Sequence, residues 1–353
     1  MPNNLMPEWL ELSGSAEVPI WGMDNRERVR RLAAASKAAP PEGRHLAVNL
    51  AYVFDPLLMR LALQNPDKRF VHGADFVIGV NGGTQDIDLA AGPEFYNPQL
   101  RKIERPFALK LTAATRAQAE RASYDASYKG VTDLLTKYLW PGLAFQLTRF
   151  AAALRLTPNM VTAIGAALCV WATVLFWQGQ YWQGMAAGFI FMVLDTVDGK
   201  LARCTVTSSW WGNIFDHGID LVHPPFWWWA WAVGLDAWGQ AYSTATFAWV
   251  IGAIVGGYVV QRVIEGAFMR LYGGIHIHVW RRFDSRFRLV TARRNPNMVI
   301  LFVSLLFARP DIGLIAVAWW TVISCAIHTV RLAQAMAQAR VGKPVTSWLE
   351  QTA

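Results

Sequence analysis

The residues with the most chemistry to offer lie between Asp195 and Asp220, in "DTVDGKLARCTVTSSWWGNIFDHGID". Four aspartates, a lysine and an arginine sit there beside some of the most apolar sequence in the chain. An ionised carboxylate in a low-dielectric setting costs several kcal/mol unless it is paired or coordinated. Asp195 and Asp198 are three apart, and Asp216 and Asp220 four apart, so on helices each pair projects from one face. The intervening "GKLARCTVTSSWWGNIF" is long enough to turn and bring the second helix back beside the first. Four converging carboxylates repel one another, and a divalent cation removes that cost. Hard oxygen ligands suit Mg²⁺ or Mn²⁺, and Mg²⁺ keeps positions open for substrate phosphates. A diphosphate substrate follows. Gly199 and Gly212 leave backbone open to a ligand, Ala202 keeps its helix face thin, and Arg203 offers a planar fork to phosphate oxygens. The blander alternatives are snorkelling charges at helix ends or an ion-translocation site.

The elements that must position these residues can be read from the rest of the chain. Of 353 residues 54% are hydrophobic and only 16% charged, with 18 tryptophans and a mean hydropathy of +0.22. Charges and prolines are scattered before about residue 130, whereas long uncharged runs follow residue 140, which separates an N-terminal cytosolic domain from a membrane domain. "MPNNLMPEWLELSG" has neither a basic start nor an apolar stretch, so the N-terminus is expected to stay in the cytoplasm. Cys169, Cys204 and Cys325 show no metal-ligand spacing and imply no disulfide framework. The net charge of +8 is read as marking cytoplasmic loops, not as a nucleic-acid footprint.

About 20 apolar residues cross a bilayer. Six spans are expected at 159–177, 181–194, 211–235, 240–261, 297–308 and 312–330, the fifth being short. Lys and Arg fall in alternate loops, which places both termini and the aspartates on the cytoplasmic side. Ahead of the first span, "YKGVTDLLTKYLWPGLAFQLTRFAAALRL" mixes basic and apolar residues at helical spacing and reads as an amphipathic helix on the membrane surface, with Lys129 expected on its solvated side and reach into the active site as the alternative.

Asp195-x-x-Asp198-Gly199-x-x-Ala202-Arg203, eight residues, then Gly212-x-x-x-Asp216-x-x-x-Asp220 resembles at every fixed position the signature of the CDP-alcohol phosphotransferase family. "TPNMVT" (157–162) and the six-span layout resemble it too, so the likeness covers roughly residues 125–340. The resemblance implies an integral membrane enzyme of phospholipid biosynthesis. Such enzymes break the diphosphate of a CDP-linked donor, transfer its phosphate-bearing half to a hydroxyl acceptor and release CMP. It implies metal binding by Asp195, Asp198, Asp216 and Asp220, with Asp220 also the general base, and Mg²⁺ or Mn²⁺ as cofactor. Gly199, Ala202 and Gly212 are then expected at the cytidine and Arg203 at the phosphates. Asn159 and Thr162 stand under two readings, polar contacts to the donor or a plain helix start after Pro158. The expected partners are the CDP-linked lipid or alcohol, its acceptor, membrane lipids and, as is common in the family, a second copy of the chain.

Within "FDHGID", His217 points about 100° away from the Asp216–Asp220 face, which suits a structural role. That phrase resembles the choline and ethanolamine phosphotransferases, whose donor is a CDP-aminoalcohol and whose acceptor is diacylglycerol. Other members transfer a phosphatidyl group from CDP-diacylglycerol, the donor expected here. "HVWRRFDSRFRLVTARRNPN" holds six arginines in twenty residues. Most are expected to bind anionic headgroups. Arg286, Arg288, Arg293 and Arg294, with Asp284, are the candidates for an anionic acceptor or donor phosphates.

The expected fold class is mainly α, a six-helix membrane bundle behind a cytosolic α/β or α+β domain. The divisions are 1–125 for that domain, 126–158 for the interfacial helix, 159–340 for the catalytic domain and 341–353 for a cytosolic tail. "HLAVNLAYVF" and "RFVHGADFVIGVNGG" read as strands around a helix "DPLLMRLALQ". "GVNGG" lacks the spacing of a dinucleotide fingerprint, so the domain is read as regulatory, docking or a degenerate nucleotidyltransferase. Competing readings are an aspartate-rich prenyltransferase, whose motifs lack the Asp-Gly-x-x-Ala-Arg core, and an ion-binding membrane protein, which would place carboxylates nearer mid-membrane.

Overall fold

A computed structural model describes residues 7–36 and 38–351. The first six residues of the expected N-terminal domain and the last two of the tail lie outside the described residues. The N-terminal region carries β1 (Leu10–Ser13), α1 (Asn25–Ala35), β2 (Leu46–Asn49), β3 (Tyr52–Phe54), α2 (Pro56–Gln64), β4 (Lys68–His72), β5 (Asp75–Val80), β6 (Gln85–Asp88), β7 (Phe95–Asn97), β8 (Lys102–Glu104), β9 (Ala108–Lys110) and α3 (Arg116–Ala126). One sheet is ordered β1-β2-β5-β4-β6, antiparallel at β2–β5 and β5–β4 and parallel at its two outer pairs. Two short antiparallel pairs, β3–β9 and β7–β8, stand beside it.

Local chemistry explains the helices. The Asp24 and Asp55 carboxylates accept from Arg26 N at 2.7 Å and Leu57 N at 2.8 Å, and Pro56 needs no partner at its first-turn position. Val48, Leu58, Phe70 and Ile78 are fully buried between sheet and helix, each worth roughly 1.5–3 kcal/mol.

A π-helical turn at Leu135–Leu139, capped by Asp133, runs into α4 (Trp140–Ala153). Then follow α5 (Pro158–Trp177), α6 (Tyr181–Cys204), α7 (Trp210–Gly234), α8 (Thr244–Leu271), α9 (Arg282–Phe287), α10 (Arg294–Leu306) and α11 (Pro310–Arg340). Helices occupy all six expected runs. Three of the helices, α5, α8 and α11, are long and apolar enough to cross a membrane by length and composition. The charged motif residues dilute α6, and α10 has only 13 residues.

The bundle core is rich in tryptophan. Trp227, Trp228 and Trp231 are buried, and Trp227 and Trp231 use their polar handles. Trp227 Nε1 donates to Cys169 O at 3.1 Å, Trp231 Nε1 to Pro310 O at 3.1 Å, and Tyr181 Oη to Trp231 O at 2.7 Å. Where lipid replaces water, such packing and hydrogen bonds hold helices together better than apolar burial does. Ile20, Trp21, Val53, Leu111, Ala119 and Tyr124 belong to the same continuous core as the bundle, so the N-terminal region is packed onto the helices. All three cysteines are free.

Candidate active site

α6 continues ten residues past the expected end of its apolar run, so Asp195, Asp198 and Arg203 are all helical. A short turn at 205–209 then leads into α7, whose first backbone N–H groups are met by Ser209: Gly212 N donates to Ser209 Oγ at 3.0 Å. α6 and α7 both pack on α5, and the aspartate pairs face each other across the gap between them, which Arg294 bridges. A Cβ on Gly212 would lie 2.7 Å from Asn159 Oδ1, so a side chain there would displace the Asn159 amide that now sits against the start of α7.

These helices open onto one cavity of about 720 Å³. Asp195, Asp198, Asp216, Asp220, Gly199, Ala202, Arg203, Gly212, Asn159, Thr162, Arg288, Arg293 and Arg294 all line it. Asp198 is buried; Oδ2 accepts from Thr162 Oγ1 at 2.6 Å and Oδ1 from Gly199 N at 2.5 Å. Thr162 thus serves the site as well as the helix start, and Thr157 caps that helix through Met160 N at 3.3 Å. Arg294 Nη2 donates to Asp195 Oδ2 at 2.7 Å and Nη1 to Asp220 Oδ1 at 2.6 Å. Asp220 is the more open of these two carboxylates, 46% against 17% exposed.

Three expectations need correcting. Arg286 is exposed and lies outside the cavity lining, because α9 turns it away from Arg288. Asp284 is buried and structural: it accepts from Arg281 N at 3.0 Å and from Arg331 Nε at 2.6 Å. The arginine stretch divides accordingly. Arg281 binds Gln338 and Arg282 lies over Trp348, while Arg288, Arg293 and Arg294 turn inward. Lys129, expected on a solvated face, also lines the cavity. His217 lines it too, with Nδ1 2.9 Å from Asn213 O and 3.6 Å from Asp216 Oδ2.

Several lining residues carry no sequence signal. Asn295 Nδ2 donates to Asp133 Oδ1 at 2.9 Å and locks the start of α10 to the turn before α4. Burial alone would raise the Asp133 carboxyl, but Arg288 and the bonds from Thr136 and Asn295 hold it below its ordinary range. Beyond Arg293, the ligand atoms of Glu265, His278 and His328 lie within 4.8 Å of one another. Arg293 occupies that cluster, bonded to Glu265 and 3.2 Å from His278 Nε2, so it already neutralises the carboxylate. These residues come from α8, a short turn and α11, too far apart in sequence to form a motif.

The donor set of the aspartates fits a hard divalent cation. It consists of carboxylate oxygens on two facing helices, beside an open cavity, with one guanidinium now bridging two of them.

Residues 155–292 match the family model described as CDP-alcohol phosphatidyltransferase. The chain is 31% identical over 148 residues to a phosphatidylinositol phosphate synthase of Mycolicibacterium smegmatis, covering 40% of this chain and 65% of that protein. It is 30% identical over 129 residues to cholinephosphotransferase 1 of Danio rerio, covering 33% and 32%. Choline/ethanolaminephosphotransferase 1 of Arabidopsis thaliana is 26% identical over 220 residues, covering 58% and 49%. Among solved structures, phosphatidylinositol phosphate synthase of Mycobacterium tuberculosis with CDP-DAG bound matches 54% of this chain and 94% of that one, at 15% identity and a TM-score of 0.40. The matches thus span about two thirds and one third of the first two curated relatives.

Proposed function

We propose, from the premise of a CDP-alcohol phosphatidyltransferase domain at 155–292, that the chain is a multi-pass membrane transferase releasing CMP from a CDP-linked lipid donor. The observation that carries this reading is the meeting of Asp195, Asp198, Asp216 and Asp220 with Arg203 in one cavity. All six helices cross the bilayer in this reading, with α6 and α7 carrying the aspartates to its cytoplasmic face. Trp171, Ile190, Trp229, Val263, Phe307 and Trp319 expose their apolar surface as a lipid-facing belt would. α4 lies on the membrane surface through Leu139, Leu143 and Phe150, which are exposed as well. The catalytic unit runs over 159–340, and the protein works as a homodimer, as the family resemblance implies.

In the transfer, the acceptor oxygen attacks the phosphorus of the transferred group, the bond from that phosphorus to the CMP oxygen breaks, and the hydroxyl proton passes to Asp220. Asp220 suits this role because it is the open member of its ion pair. Arg203 holds the diphosphate, and Thr162 fixes the rotamer of Asp198. Mg²⁺ or Mn²⁺ held by the four aspartates would neutralise the diphosphate and the departing CMP. Arg294 must loosen its grip on Asp195 and Asp220 for that cation to enter.

The donor is CDP-diacylglycerol and the acceptor an anionic alcohol in the favoured reading. Lys129, Arg262, Arg288 and Arg293 line the cavity beyond the aspartates, an environment a neutral diacylglycerol does not call for. The second reading, a CDP-aminoalcohol donor with a diacylglycerol acceptor, draws on "FDHGID" and on the cholinephosphotransferase relatives. Offering the purified protein each donor with phosphorylated, carboxylated and lipid alcohols decides between them. CMP release with CDP-diacylglycerol and an anionic alcohol supports the first reading, and release only with CDP-choline or CDP-ethanolamine and diacylglycerol replaces it with the second.

A further inference from the structure

The membrane helices do not close the cavity alone. Arg101 also lines it, and Arg101 belongs to the N-terminal region, in the turn between β7 and β8. Its backbone is left-handed, with φ of 53°, where side chains other than glycine, asparagine and aspartate are uncommon. The hairpin that imposes this conformation is docked at several points. Gly130 N donates to Leu100 O at 2.8 Å, and Lys102 Nζ to Ala126 O at 2.8 Å. A Cβ on Gly130 would meet Arg101 O at 2.6 Å and Lys102 Cβ at 2.5 Å, so this approach needs glycine. Tyr96 and Ile103 pack against Val131, Val279 and Leu349, which ties the hairpin to the turn before α9 and to the C-terminal tail.

Among the described residues the Arg101 guanidinium has no hydrogen bond or ion pair. Burial, and then the neighbouring Arg293, pushes its pKa down to about 10. Arg288 stands under the same stress, lowered to about 9 by burial and then by Arg293, and its Nη1 is buried without a partner. Of the nearby carboxylates, Glu265 is taken up by Arg293 and Arg262, and Asp133, which attracts Arg288, is hydrogen-bonded by Thr136 and Asn295 and not by either guanidinium. Buried guanidiniums that repel one another and lack acceptors are stabilised by an anion, and their planar forks match phosphate or carboxylate oxygens. Arg203 lines the cavity on the side of Asp198 and Asp216, so the donor diphosphate and this second anion have separate partners.

We propose that Arg101 makes the N-terminal region a wall of the catalytic cavity, where it joins Arg288 and Arg293 in binding a phosphate or carboxylate group of the acceptor. This rests on the transferase reading above, and it makes the N-terminal region part of the acceptor site instead of a separate catalyst.

The test uses the full chain in neutral phosphatidylcholine nanodiscs, titrated separately with inorganic phosphate and with CDP plus Mn²⁺. Arg101→Gln is expected to weaken phosphate binding about 10- to 100-fold, the loss of a charge-assisted contact, while CDP affinity stays within about twofold. Phosphate affinity unchanged in Arg101→Gln, with CDP binding intact, overturns the proposal. Absence of CDP binding in the unsubstituted protein instead overturns the transferase reading. If Arg101→Gln loses both ligands, Arg101→Lys decides: intact CDP binding with weakened phosphate binding supports the site, and unchanged phosphate binding overturns it. Repeating the titration in phosphatidylglycerol nanodiscs separates the sources of the anion. A surviving phosphate response assigns the site to a soluble acceptor, and a vanished one gives it to lipid headgroups and overturns the acceptor assignment.

Discussion

The Arg294 guanidinium holds Asp220 at 2.6 Å, and its other terminal nitrogen holds Asp195 at 2.7 Å, so one side chain of α10 spans the two helices of the aspartate motif. It supplies positive charge where four carboxylates would otherwise repel, and a divalent cation held by those carboxylates would compete with it.

Removing that competitor has a direction. Arg294→Ala is expected to tighten Mn²⁺ binding roughly tenfold and to lower the melting temperature of the metal-free protein, because the carboxylates then face one another unpaired. Added Mn²⁺ should restore the melting temperature by mass action. Calorimetric titration with Mn²⁺ and thermal unfolding at two metal concentrations read both effects, and weaker Mn²⁺ binding in the variant would show that the guanidinium does not stand in for the metal.

Thr162→Val removes the hydroxyl that donates to Asp198 at 2.6 Å while keeping its shape. A hydrogen bond to a charged group contributes about 1.5–3 kcal/mol, so Mn²⁺ affinity should fall on the order of 10-fold or more. An unchanged Mn²⁺ titration would return Thr162 to a helix-start role only.

Gly212→Ala tests the close approach of α7 to α5. The added methyl would sit 2.7 Å from Asn159 Oδ1 and 2.9 Å from Ser209 Oγ. The Asn159 amide and the Ser209 hydroxyl must turn away, and CDP affinity is expected to drop about tenfold or more with little change in melting temperature, consistent with a local displacement. Donor binding within about twofold of the original would mean that the cytidine does not depend on this contact.

Asp55 gives a pH dependence outside the membrane helices. Burial, and then nearby Glu104, raises its carboxyl to about 6 in the folded protein, above the ordinary value of 3.8. The folded state therefore holds the proton more tightly. The stability this group contributes is full below about pH 4 and is lost as pH rises through about 6. Asp55→Asn keeps an acceptor for Leu57 N and should flatten that decline, a difference on the order of 1–3 kcal/mol. Melting temperatures at pH 4.5 and pH 7 measure it, and parallel slopes in the two proteins would count against a raised carboxyl.

The aspartate motif was legible because its geometry is local: helical spacing fixes which residues share a face, and the six apolar runs all became helices. "HLAVNLAYVF", "DPLLMRLALQ" and "RFVHGADFVIGVNGG" likewise fold as β2–β3, α2 and β4–β5. The far end of the cavity was not legible. Arg101, Lys129, Asp133, Glu265 and Asn295 converge from four separate segments, and nothing in their sequence neighbourhoods distinguishes them from solvated polar groups. The arginine run shows the same limit. Composition marks it as basic, but only the path of α9 and the start of α10 decides that Arg288, Arg293 and Arg294 turn inward while Arg286 does not.

The measurement closest to the central claim is CMP release from CDP-diacylglycerol by the purified protein, with and without Mn²⁺ or Mg²⁺, beside Asp220→Asn. The account predicts release that requires the metal and falls at least about 100-fold in Asp220→Asn, as general-base catalysis contributes 10²–10⁴-fold. Release that persists in the variant or without metal would contradict the roles given to the aspartates. CDP failing to bind at all would contradict the transferase reading itself.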